Sequence, residues 1–442
     1  MAIGWLAISQ ARGGTVPDWK PEADTMMSAI PAQAPGASVV VYREGREVYA
    51  SARGLASVEL GVPLTIDSVF RIGSLTKTVT AATVMQLHAQ GKLDLDAPIA
   101  RWLPSFPRAD TVTVRQLLSH TSGVSDAWSA ALTDAMDSTA RLKAIASAPP
   151  DFAPGSDWHY SNSGYMVLGA IIEKVTGESW FDAERDLVLA PLHVRGVAFR
   201  DDNAVVPAMV PGYTVDARGD IARPIMYSIA GPGAAGGLSA SAGGFAALLH
   251  GLATGSVPGP AAFREMAHSA RIGPVDLPYG LGMVPGHVQG VVVAEHSGGI
   301  EGYVSYYVYV PSADIAVVVL ENSDTPAVQA RSLARRLTAL ALGKPYRSFR
   351  AIDWAPHRLD AIAGTYVIPG GGMHIIEVRA GSAWMQRDNG PAKRLVTSAD
   401  DMLTYAGDGI DYVQIMRDAN GRVIAIDFHD DGKSDGRRER RR

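Results

Sequence analysis

Runs of β-branched and aromatic residues at positions 37–43 and 47–52, joined by the tight turn Glu44-Gly45, predict a β-hairpin near the start of the chain. An extended segment at residue 70 then runs straight into a helical pattern whose apolar face continues through Ala81, Val84 and Met85 and which stops at Gly91, a good C-cap. A shorter helix begins at Pro98, and the apolar stretch 114–118 gives way to the polar break Ser119-His120-Thr121-Ser122-Gly123. Residues 164–175 form a strongly helical apolar segment closed by Gly177, 243–252 a further helix, and 328–342 another that ends at Gly343. Between them, 291–295, 303–310 and 315–320 read as three consecutive strands of an antiparallel meander. Residues 1 to about 35 are loop-like apart from one helix over 21–30, and 190–245, rich in Gly, Pro and Ala, read as long loops able to line a cleft. Strands at both ends of a helix-rich middle predict one sheet closed by both ends of a single α+β domain.

The texture changes after Lys344. A linker over 344–356 is followed by short strands near 363–368, 373–379, 382–388, 411–417 and 422–428, separated by turn signals such as Asp418-Ala419-Asn420-Gly421. This predicts a small all-β unit, a partly open barrel or a sandwich. The expected division is an N-terminal arm or signal remnant at 1–21, a main domain at 22–343, the linker, and the all-β domain with a basic tail at 357–442.

Composition narrows the classes. A chain of 442 residues, 47% hydrophobic and 19% charged, can build a sizeable core. Its net charge of −5 and the lack of a basic stripe in its body argue against nucleic-acid binding. The one basic cluster, at 437–442, is expected to be a solvated tail. With no cysteine, disulfides, zinc–thiolate sites and thiol nucleophiles are excluded. The apolar start at 1–8 lacks a preceding basic residue, and no stretch reaches the length of a membrane span. An exported, periplasmic location is the expectation, and a cytoplasmic one is compatible with it. No cofactor and no metal site are expected.

Three stretches carry candidate chemistry. In Ser74-Leu75-Thr76-Lys77 a serine and a lysine three apart share a helix face that is otherwise apolar. A lysine on the buried side is costly while charged, so its pKa falls and its amine can accept a proton from a neighbouring hydroxyl. Among eight lysines, Lys77 alone has a serine three residues before it. The ordinary reading is a capped helix with a snorkelling lysine. In Tyr160-Ser161-Asn162, just before the apolar helix, phenol and amide can point the same way into a cavity. There Tyr160 can shuttle protons if nearby positive charge lowers its pKa; an aromatic plug beside a capping Asn is the plain alternative. In Glu295-His296-Ser297-Gly298-Gly299, glycines at the end of a strand let a substrate backbone lie along the edge, with one N–H for an oxyanion; the plain alternative is a hairpin turn. His120 and His159 lack metal-ligand spacing. Gly432-Lys433-Ser434-Asp435-Gly436 matches a nucleophile-elbow pattern without the following helix that an elbow requires.

Taken together and in this order, these stretches resemble the S-x-x-K, Y-x-N and K/H-x-G motifs of penicillin-recognising serine enzymes, most closely the branch of class C β-lactamases, D-Ala-D-Ala peptidases and D-aminopeptidases. Residues 117–123, 236–240, 279–282 and 296–303 are similar to the same family, and the likeness covers about 22–342. It implies an antiparallel sheet flanked by helices plus an all-helical subdomain. It also implies Ser74 as acylated nucleophile, Lys77 as acceptor or relay of its proton, and Tyr160 as general base and then acid. Asn162, Ser297, Gly298 and Gly299 become the substrate-binding and oxyanion group, with the N–H groups of Ser74 and Gly299 forming the hole. His296 stands where class C β-lactamases have lysine. Being only partly charged near neutral pH, it suits a carboxylate less well and lowers the expectation of efficient β-lactamase activity. The implied function is a serine hydrolase acting through an acyl-enzyme on peptides or amides, D-residue peptides among them. A carboxylesterase is the alternative, and a weak β-lactamase or a non-hydrolytic ligand-binding or assembly protein is the second alternative. The implied partner is a small peptide, amide or ester substrate, with oligomeric state left open.

Overall fold

The computed structural model describes residues 18–127, 138–199, 202–225, 228–407, 409–432 and 436–442. Helix α1 (Lys20–Ser28) leads into the hairpin β1 (Ala37–Arg43) and β2 (Arg46–Arg53), as the turn at Glu44-Gly45 predicts. Two long helices follow, α2 (Thr76–Ala89) and α3 (Asn162–Thr176), then α4 (Ala242–Thr254). The later strands are β3 (Val284–Val288), β4 (Val291–Ile300), β5 (Tyr303–Val310) and β6 (Ile315–Glu321), after which α5 (Ala330–Ala341) closes this part of the chain.

The sheet is antiparallel with strand order β3-β4-β5-β6-β1-β2. The N-terminal hairpin is therefore seated against the last strand of the meander, with Val39 opposite Val319 and Val41 opposite Val317. Successive residues of β1 point to opposite faces, and both faces are covered. Val39 and Val41 pack with α1 and α5, while Val40 joins the larger core shared with α2, α3 and α4. Helix α2 is buried on every side from Thr76 to Met85, which is why its sequence shows no polar face. Strand β3 escaped the sequence reading because Pro285 and Gly286 interrupt its apolar pattern.

The C-terminal unit is a closed barrel of eight strands, not the partly open barrel or sandwich expected. In order they are β7 (Gly364–Val367), β8 (Met373–Arg379), β9 (Ser382–Arg387), β10 (Lys393–Thr397), β11 (Met402–Tyr405), β12 (Tyr412–Arg417), β13 (Val423–His429) and β14 (Arg437–Arg441). Three of these carry no legible signal. β10 opens on two cations, β11 has four residues, and β14 is the sequence Arg-Arg-Glu-Arg-Arg. The expected solvated tail is thus the strand that seals the barrel, pairing Arg440 with Ala425 on one side and Arg441 with Tyr366 on the other. It does so by turning Glu439 inward against His374 at 2.8 Å, while Arg438 stays outside on Asp427 at 2.6 Å.

The stretch expected to be a linker lies against its neighbours rather than hanging free. Trp354 is buried and donates its indole N–H to Ser398 O at 2.9 Å, and the Tyr346 hydroxyl donates to Asp431 at 3.0 Å. Asp431 belongs to a buried charge cluster. Arg335 on α5, 3% exposed, holds Glu295 of β4 at 2.7 Å and Asp431 at 2.6 Å, and also donates to His287 O of β3. One guanidinium therefore joins the sheet, a helix and the barrel. Among the described residues no helix is long and apolar enough to cross a membrane.

Candidate active site

Ser74 sits in a single 3₁₀ turn, Gly73–Leu75, that connects an extended residue pair at 70–71 to α2. The turn requires glycine at 73. Its φ is +51°, and a Cβ there would lie 2.8 Å from Gly299 O. This close approach brings the nucleophile turn against the end of β4. Lys77 follows in the first turn of α2 and is completely buried.

The Lys77 amine has three neighbours: Ser74 Oγ at 2.9 Å, Asn162 Oδ1 at 2.7 Å and Ala235 O at 2.7 Å. The two carbonyl oxygens can only accept, whereas the serine hydroxyl can donate. A neutral amine has two N–H bonds and one lone pair, so it satisfies all three contacts with its lone pair aimed at the Ser74 proton. Burial draws its pKa from 10.5 down to about 7, partly opposed by the charge of Asp126. The Lys77 amine and the Ser74 hydroxyl, three residues apart in the sequence, thus stand within hydrogen-bond distance of each other.

Asn162 opens α3. Asp126 caps that helix, accepting the Asn162 backbone N–H at 3.1 Å, the Asn162 side-chain N–H at 3.1 Å and the Ser163 N–H at 3.3 Å. This fixes the amide with its oxygen towards Lys77. Asp126 carries no signal in the sequence, since it lies 36 residues before the amide it orients and only the fold unites them.

Tyr160 faces Ser74, whose side chain shares a hydrogen bond with the phenol, and its ring lies 5.0 Å from the Lys77 amine. The condition set for Tyr160 as a shuttle, a pKa lowered by nearby positive charge, is not met by its surroundings. Burial pushes the phenol well up, aided by Asp126 and only partly opposed by the Ser74 hydrogen bond. At neutral pH it is a proton donor. His120 backs the ring at 4.3 Å, with Nδ1 accepting the Ser161 N–H at 3.1 Å and Nε2 buried without a hydrogen-bond partner among the described residues. Burial and the nearby Lys77 hold this imidazole well below its ordinary pKa, so it packs as a neutral ring.

His296 is brought near the site but not into the cleft. Its Nε2 meets the Tyr279 hydroxyl at 2.7 Å and its Nδ1 meets Ser297 O at 2.6 Å. A carbonyl can only accept, so the proton is on Nδ1 and Tyr279 donates to Nε2. Burial, with Lys77 nearby, takes its pKa down to about 4, which overturns the expectation of a partly charged imidazole at neutral pH. Ser297 is exposed and does not line the cavity. Gly298 is a packing residue, since a Cβ there would fall 2.1 Å from Ile72 O. Gly299 faces open space and lines the cavity with Ser74.

β4 pairs with β3 only over 291–295, whereas on its other side it pairs with β5 through Ile300. Among the described residues, 296–300 thus have no strand partner on that side and present an edge beside Ser74. The cavity there measures about 130 Å³ and is bounded by Gly73, Ser74, Tyr160, Asn162, Gly299 and Glu301, with Pro232, Ala235 and Gly236 of the glycine-rich loops along one side. A larger hollow of about 790 Å³, near Arg115, Thr121 and Arg264, contains none of these groups. The nucleophile-elbow lookalike at 432–436 lies largely outside the described residues.

The Beta-lactamase family profile matches residues 23–342. Esterase EstB of Burkholderia gladioli is 42% identical over 184 residues, covering 37% of this chain and 47% of the esterase. A D-aminopeptidase of Gluconobacter oxydans is 25% identical over 354 residues, covering 78% of this chain and 65% of that enzyme. The chain thus spans about half the length of the first and under two thirds of the second. The solved octameric penicillin-binding protein homologue from Pyrococcus abyssi superposes with a TM-score of 0.66 at 25% identity, covering 95% of this chain and 97% of its own.

Proposed function

From the fact that this chain belongs to the Beta-lactamase family, we propose that it is a serine hydrolase that cleaves amide bonds of small peptides or amino-acid amides through an acyl-enzyme. The observation that carries this reading is the Lys77 amine, held by two carbonyl oxygens with its remaining valence towards Ser74 Oγ. Lys77 takes the Ser74 proton as Oγ attacks the substrate carbonyl carbon. The N–H groups of Ser74 and Gly299 receive the oxyanion. Tyr160, kept protonated by burial, gives its proton to the leaving nitrogen and is reprotonated from Lys77. Water then attacks the acyl-enzyme, its proton passes to the amine, and Ser74 Oγ leaves carrying a proton. The edge at 296–300 offers backbone groups to an extended substrate.

The protonated Tyr160 favours amides, because a leaving amine needs a proton that a leaving phenolate or alkoxide needs less. A carboxylesterase is the second reading, favoured by the similarity to EstB. A fluorophosphonate probe tests both. Labelling is expected at Ser74 and lost in Ser74→Ala, and turnover in that variant would overturn the reading. Among substrates, hydrolysis of aminoacyl p-nitroanilides alongside p-nitrophenyl esters of the same acyl group supports the amidase; turnover of the p-nitrophenyl esters alone moves the assignment to the esterase.

A further inference from the structure

We propose that Glu301 selects substrates whose acyl portion carries a free primary ammonium group, a requirement that rests on the hydrolase reading above. Glu301 lies in the turn between β4 and β5, two residues beyond Gly299, and is the one formally charged side chain lining the cavity at Ser74 among the described residues. Its carboxylate makes no hydrogen bond or ion pair among those residues. The two arginines whose charges reach Tyr303, two residues further on, are engaged elsewhere: Arg71 holds Asp202 at 2.7 Å, and Arg223 holds Glu59 at 2.8 Å. Glu301 is half-buried at the rim, so its charge acts in a partly desolvated space where a matching ammonium is attracted more strongly than in bulk water.

Among the described residues no cation lines the cavity opposite it. Lys77 is sealed beneath Ser74, and the His296 imidazole is turned onto Tyr279. Among the described lining residues a substrate carboxylate would therefore meet one negative charge and no positive partner, whereas an ammonium would find its complement. The spacing places that ammonium near the scissile carbonyl. With the carbonyl oxygen at the Gly299 N–H, Glu301 is two residues away, at most about 7 Å along the backbone. An α-amino group and a flexible glutamate side chain together bridge that distance, and Gly299 adds no side chain to block it.

The test compares D- and L-alanine p-nitroanilides with their N-acetyl counterparts on the full chain, with fluorophosphonate labelling of Ser74 run in parallel. A charge-assisted contact predicts a preference of about 10- to 100-fold in kcat/KM for the free amine, for at least one enantiomer. In Glu301→Gln that ratio falls towards unity, with Ser74 labelling reporting that the variant is folded. If the variant does not label, the native comparison decides alone. A native protein that labels but cleaves the acetylated substrates equally well overturns the inference and leaves the hydrolase reading standing. A native protein that does not label overturns the reading itself, and the inference with it.

Discussion

Titration of Lys77 should set the pace of Ser74 acylation. With a pKa of about 7, the amine is about one-tenth neutral at pH 6 and about nine-tenths neutral at pH 8. Labelling of Ser74 by an uncharged fluorophosphonate should therefore quicken about tenfold over that interval and then level off. His296 adds no inflection there, because its own pKa is about 4. The same depression shapes stability. Below pH 7 folded and unfolded chains both carry the proton, and the folded state bears the full cost of burying it, about 5 kcal/mol for the interval from 10.5 to about 7. Between about 7 and 10.5 the unfolded chain binds the extra proton, so this cost shrinks as pH rises and is gone above 10.5. Lys77→Arg keeps its charge throughout and offers no base. It should label about 10²- to 10⁴-fold more slowly, with no quickening between pH 6 and 8. Labelling followed by intact-protein mass spectrometry reads both quantities. A flat native profile, or an arginine variant that labels at the native rate, refutes the reasoning.

Arg335→Met leaves Glu295 and Asp431 buried without their partner and should destabilise the protein by about 3–5 kcal/mol, measured by urea unfolding; a loss below about 1 kcal/mol would show the cluster to be incidental. Gly298→Ala forces a methyl to 2.1 Å from Ile72 O and 2.2 Å from Ser305 Oγ, and should cost about 1–3 kcal/mol and slow Ser74 labelling. Gly299→Ala points into open space and should stay within about 1 kcal/mol of native, so equal losses in the two variants would contradict the assigned packing.

What the sequence revealed of the site depended on how local each relationship is. Ser74 and Lys77 lie one helical turn apart, Tyr160 and Asn162 two residues apart, and Gly298 and Gly299 side by side, so their spacing carries the geometry. Asp126, Ala235 and Glu301 reach the same place through loops and a turn without repeating patterns; Glu301 lies inside the family-like stretch 296–303 and Ala235 beside 236–240, but no spacing marks either residue itself. The protonation states of Tyr160 and His296 are not legible in the sequence for a related reason. Burial by residues distant in sequence, which no motif records, outweighs the charges that the motifs suggest. In the barrel, strands with apolar alternation were legible, and Arg437–Arg441 was not, because its only inward residue is a glutamate balanced by His374.

The pairing of Val39 with Val319 also fixes a timetable. These residues are 280 positions apart, so at about 5–20 residues per second a ribosome needs about 14–56 s to deliver the partner strand after the first has emerged. Throughout that wait the hairpin of β1 and β2 has only itself to pair with, and an isolated two-stranded ribbon is marginally stable in water. A nascent chain therefore trails an apolar edge of alanine and valine for most of its synthesis, and that edge is where a holding chaperone would be expected to grip.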